Sequence, residues 1–94
     1  MDNYEQQVEC GKRIVREQLT RMAAELNEPR LLGFDFASSD RDFDLDQVSL
    51  VDRGQFKIVV KIERDDLADM NADKAVRRRV VCDLESASKS YFGI

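Results

Sequence analysis

The chain has no histidine and no tryptophan, one proline, four glycines and two cysteines in 94 residues, and its unbroken aliphatic runs reach only two or three residues. Each scarcity excludes something. Without histidine there is no imidazole general base, no histidine-dependent triad, no zinc deaminase centre and no mixed His/Cys structural metal site. Cys10 and Cys82, separated by most of the chain, lack the density of a secreted disulfide framework, so a reducing, cytoplasmic setting is the expectation. The opening Met-Asp-Asn-Tyr-Glu carries no basic segment followed by an apolar one, and neither a signal peptide nor a transmembrane helix is expected. No glycine-rich phosphate cradle or dinucleotide fingerprint occurs, which leaves enzymes only carboxylate, lysine or cysteine chemistry. Neither cysteine has a histidine to activate it, so a non-enzymatic role without a cofactor is expected.

Charge, by contrast, is plentiful. The 19 acidic and 15 basic side chains sum to −4, and 43% of the residues are apolar, which is the composition of one small globular domain rather than a disordered chain. A domain of this size buries only about two-thirds of the surface its unfolded chain exposes, so burial against a partner adds substantially to its stability.

Val8, Val15, Leu19, Met22, Ala23 and Leu26 share one face at about 100° per residue and predict a helix over residues 3–27, closed by Pro29. On the opposite side Glu9, Arg13, Glu17, Arg21 and Glu25 alternate in sign at spacing four, the pattern of a solvated face. Gly11 interrupts good helix formers, where it costs about 1 kcal/mol relative to alanine. Either another backbone approaches closely there, or the first turns break or fray. Cys10 and Ile14 lie off the main apolar face and form a second, smaller patch, a candidate homodimer contact.

After Pro29 the alternation of Leu32, Phe34 and Phe36 predicts a strand over residues 31–37. Phe43 and Leu45 against Val48 and Leu50 predict a second strand over 43–51, and their phases require either a bulge near Asp46-Gln47 or a strand that begins later. Asp52-Arg53-Gly54 reads as a hairpin loop, and Phe56, Ile58, Val60 and Ile62 predict a third strand over 55–63 with all four on one buried face. Leu67 and Met70 are out of phase with Val76, Val80, Leu84, Ala87 and Tyr91. That break predicts a turn over 66–70, then a helix over 72–90 capped by Asn71, with Asp73 in its first turn and release near Gly93. The sum is one α+β domain over residues 1–94 of order αβββα: a three-stranded antiparallel sheet packed by a long N-terminal and a C-terminal helix.

Two charge clusters stand out. Between Asp35 and Asp52 six aspartates, Asp35, Asp40, Asp42, Asp44, Asp46 and Asp52, face Arg41 alone, a local charge of −5. A calcium loop starting at Asp40 fails, because Leu45 stands where the glycine is needed and Val51 where the bidentate glutamate is needed, so no metal site is expected. Asp40, Asp42, Asp44 and Asp46 instead suit a surface that steers a protein partner, with Cys10 and Ile14 as apolar anchors. A different reading of the same carboxylates is an inhibitor that mimics nucleic acid. Basic charge collects at Lys57, Lys61, Lys74, Arg77, Arg78 and Arg79, which supports a nucleic-acid-binding alternative, although Arg79 is spaced to pair with Asp83.

The αβββα order is similar to that of double-stranded-RNA-binding domains, but the dense lysine cluster at the start of their second helix is missing. Type III secretion chaperones also combine helices, antiparallel strands and an acidic surface; no motif here matches them. Protein interaction is the leading expectation from the residues themselves.

Overall fold

The computed structural model describes residues 3–37 and 46–94. Helix α1 (Asn3–Glu25) leads into a 3-10 turn (Pro29–Gly33), strands β1 (Phe34–Ala37), β2 (Gln47–Asp52) and β3 (Lys57–Glu63), a short helix α2 (Arg64–Asp69) and helix α3 (Lys74–Phe92). The strands form one antiparallel sheet in the order β1-β2-β3, flanked by the N-terminal and C-terminal helices as expected. The body measures 39 × 32 × 18 Å, and the smallest dimension fits two layers, a sheet with helices on one face.

The core follows from the two periodicities. Along α1, Val8, Gly11, Val15, Leu19, Met22 and Ala23 are buried at helical spacing. Phe34, Val48, Leu50 and Ile62 are buried from the sheet, while Asp35, Gln47, Ser49 and Lys61 alternate onto the other face. Leu67, Met70, Val80 and Leu84 close the core from α2, the turn after it and α3. Each fully buried leucine of this set contributes about 1.5–3 kcal/mol of apolar burial. Gly11 is explained by the close-approach alternative: a Cβ there would lie 2.6 Å from the carbonyl carbon and 2.8 Å from the Cα of Leu67, so α1 and α2 cross backbone against backbone.

Several boundaries differ from the sequence reading, each for a local reason. Helix α1 ends at Glu25 rather than 27 because Asn27 takes a left-handed φ of 52°, and the Glu28 N–H reaches back to the Ala23 carbonyl at 2.9 Å. That is a Schellman closure with asparagine in the position glycine usually holds. Residues 29–33 form a 3-10 turn instead of the start of a strand. Pro29 stands at its beginning, the Glu28 carboxylate accepts the Arg30 N–H, and Leu31 rather than Leu32 is buried. The segment expected as a turn over 66–70 is the helix α2, and Asp73, not Asn71, caps α3 by accepting the N–H groups of Ala75 and Val76. Helix α3 continues to Phe92 and releases at Gly93, whose φ is 70°.

The bulge is also elsewhere. Val60 pairs with Leu50 but Ile58 pairs with Val51, which leaves Val59 as the extra residue on β3. This reverses the faces of the strand below it. Val60 and Ile62 point to the core, whereas Ile58 is turned out and Phe56 lies beyond the end of the strand, so the expected four-residue buried face is only half realised. Strand β2 begins at Gln47; Phe43 and Leu45 fall outside the described residues.

Candidate interaction surface

One end of the molecule gathers three chain segments. The Arg53 N–H donates to the Gly33 carbonyl at 3.2 Å, joining the β2–β3 loop to the 3-10 turn. The Tyr91 hydroxyl reaches the Asp52 carboxylate at 3.0 Å and Gln55 Oε1 at 3.2 Å, joining that loop to the last turns of α3. Withdrawal from solvent, and then the Asp52 carboxylate holding its proton, push the Tyr91 phenol above its ordinary value.

Beneath this junction lies an aromatic trio. Phe34 stacks on Phe92 at 5.5 Å between centroids and meets Tyr91 edge-on at 5.8 Å, while Tyr91 and Phe92 are edge-on at 5.1 Å. The Arg30 guanidinium lies 4.3 Å from the Phe92 centroid and is clamped to Glu28 at 2.6 and 2.8 Å. That fork of hydrogen bonds holds the Glu28 carboxyl below its ordinary value. The result is an aromatic cluster made of parts far apart in sequence.

Large apolar side chains of the same segments and of the adjoining strand are exposed to solvent. Phe56 in the β2–β3 loop is 86% exposed, Leu32 in the 3-10 turn 60% and Ile94 after α3 53%, and Ile58 at the start of β3 is 51% exposed. Phe56 also holds φ at 53°, a left-handed backbone that costs an L-residue roughly 1–2 kcal/mol. A bulky residue there is both strained and out in solvent. Asp52 caps the loop by accepting the Gly54 N–H at 2.9 Å, and Asp35 is engaged by Arg53 at 3.2 Å and Arg16 at 3.5 Å. The carboxylates at this end are thus occupied, whereas Lys57 and Lys89 form no ion pair among the described residues.

The residues singled out from the sequence are distributed differently. Asp40, Asp42 and Asp44 fall outside the described residues, and Asp46 is exposed at the start of β2, the end of that strand away from the β2–β3 loop. Cys10 is half-buried, and Ile14 is partly buried where it packs against the core. Lys57, Lys61, Lys74, Arg77, Arg78 and Arg79 are all exposed. They do not form one stripe: Lys57 stands beside the C-terminal end of α3 and Lys74 begins that helix, about 25 Å away along its axis. Arg79 pairs with Asp66 at 2.5 Å rather than with Asp83.

Lys61 and Arg79 line a cleft of about 340 Å³ between β3 and α3, whose walls also carry Glu63, Asp66 and Asp83. The acids outnumber the bases there, which is unfavourable to a phosphate backbone. Among the described residues no three His, Cys, Asp or Glu side chains are grouped to hold a metal, and no helix is long and apolar enough to cross a membrane. No protein family, no curated protein and no solved structure matches this chain.

Proposed function

We propose that this chain is a non-enzymatic protein-interaction module whose docking surface is the end formed by the 3-10 turn, the β2–β3 loop and the C-terminus of α3. The observation that carries the reading is Phe56, a large aromatic held at positive φ with 86% of its surface in solvent. Folding gains almost nothing from that ring and bears a strained backbone to present it, and strain of this kind collects at binding sites. An exposed aromatic has the character of an interface anchor, able to fill a partner pocket with only two side-chain torsions to order. Ile58, two residues further along and turned outward on β3, adds exposed apolar surface. Lys57 and Lys89, which form no ion pair among the described residues, favour a partner whose own rim is acidic and accelerate its approach at low salt.

The test is to place a photo-crosslinking amino acid at position 56 and, separately, at Glu17 on the exposed side of α1, and to irradiate both proteins in cells of the native source. A discrete adduct formed from position 56 and missing from position 17 is the expected result. Identical adduct patterns from both positions, or none from position 56, would count against the hairpin end as the docking surface.

A further inference from the structure

Strand β3 ends the sheet, and among the described residues its outer edge has no strand beside it. An open edge of this kind is a template for another strand. Its two halves differ. Around Val59 the bulge disturbs the ladder, but from Val60 to Glu63 the strand is regular, with Ile62 facing the core and Lys61 and Glu63 exposed on the opposite face.

We propose that β3 pairs with β3 of a second copy of this chain, antiparallel about a two-fold axis at Ile62, so that Lys61 of each copy lies opposite Glu63 of the other. The register follows from charge and pleat. A two-fold axis at Lys61 would set that ammonium against its own symmetry mate, and one at Glu63 would do the same with carboxylates. An axis at Val60 would match Ile62, which faces the core, with Ile58, which the bulge turns outward. Only the axis at Ile62 joins opposite charges on one face and like faces across the seam, in a short ladder of residues 61–63 that stops where α2 begins at Arg64.

The cleft between β3 and α3 supports the same occupant. Its apolar walls come from Val60, Ile62, Val80 and Leu84, and its rim carries charges of both signs. An isologous contact needs both signs in one patch, because the patch must complement itself. The pairing also leaves Phe56 free, since Ile62 lies toward the end of β3 away from the 53–56 loop. A dimer would therefore present two docking ends and gain avidity on a bivalent partner.

Light scattering gives the test, with molar mass followed from about 1 µM to about 1 mM protein, a span that covers weak to moderate self-association. The expected mass rises from 10.8 kDa toward twice that value. Lys61→Glu and Glu63→Lys, each made alone, should weaken the dimer about tenfold, since each turns two attractive cross-strand pairs into repulsive ones. The double variant K61E/E63K should restore it, because the opposite charges then face each other again; native circular dichroism of all three variants accompanies the measurement. A mass that stays at the monomer value throughout, a dimer indifferent to the single reversals, or a double variant as weak as the singles would each overturn the proposal.

Discussion

Replacing Gly11 with alanine sets two effects of known direction against each other. Helix propensity favours the change by about 1 kcal/mol, because glycine in a helix interior loses more backbone freedom on folding than alanine does. The crossing with α2 opposes it. The added methyl carbon would sit 2.6 Å from the carbonyl carbon of Leu67 and 2.8 Å from its Cα, and neither atom belongs to a flexible side chain that could swing aside. Relief requires α1 and α2 to separate by about 1 Å, which loosens contacts around buried Val8, Val15, Leu67 and Ala68. Overpacking costs roughly 1–3 kcal/mol, and a clash with backbone rather than a movable side chain lies at the upper end, roughly 2–3 kcal/mol, so it outweighs the propensity gain. The expected net loss is about 1–2 kcal/mol, read as a lower urea midpoint with an unchanged slope and a Tm lower by roughly 5–15 °C for a domain of this size. A Gly11→Ala protein as stable as the parent, or more so, would refute the backbone-on-backbone crossing and favour frayed first turns instead.

Phe56→Gly should leave unfolding free energy within about 1 kcal/mol of the parent. Relief of roughly 1–2 kcal/mol of left-handed strain offsets about 0.5 kcal/mol of residual burial and glycine's freer unfolded chain; a loss above about 2 kcal/mol by urea titration would show that the ring is part of the core. The Tyr4 phenol, whose hydroxyl donates to Asp65 at 2.7 Å, is pushed up to about 12, first by that hydrogen bond. Its stabilising contribution is complete below 10.0 and disappears as pH rises from there toward about 12, so Tyr4→Phe should flatten the alkaline limb of a pH–stability curve. The Asp35 carboxyl is held below its ordinary 3.8, first by the Phe36 N–H and then, against a burial cost, by Arg53 and Arg16. Its contribution is present in full above 3.8 and is lost as pH falls through the lower folded-state value; Asp35→Asn should make the acid limb shallower there, and an unchanged limb would show that its partners are too exposed to matter.

Periodicity carried the helices and the sheet because burial of one face is a repeating local demand. Val15, Leu19, Met22, Val80 and Leu84 are buried where their spacing places them. It could not locate the bulge. Residues 58, 59, 60 and 62 are all β-branched and apolar, so shifting the ladder by one leaves the pattern equally hydrophobic, and only pairing with β2 decides which residues turn outward. Leu31 and Leu32 raise the same ambiguity; Pro29 and the Glu28 cap settle it in favour of a 3-10 turn.

The exposure of Phe56 was hidden for a related reason. Phe56 reads as core because it is aromatic and alternates with Ile58, yet Gly54 two residues earlier marked a loop that need not have ended where the alternation began. The contacts at its end of the molecule are long-range: Tyr91 on Asp52, Phe92 under Arg30 and Phe34 between the two aromatics join residues that no local spacing relates. Arg79 likewise pairs with Asp66 across the turn between α2 and α3 instead of with its helical neighbour Asp83. Charge counts in the sequence could not register which carboxylates at this end are engaged, Asp35 by Arg16 and Arg53 and Asp52 by Tyr91.

The central claim is that Phe56 serves binding and not folding. Its most direct test is the amount of partner protein co-purified from native cells by the Phe56→Gly chain relative to the parent, at matched levels of folded bait. The account predicts that a partner abundant with the parent is lost with the variant; a partner retained at the parent level would contradict it.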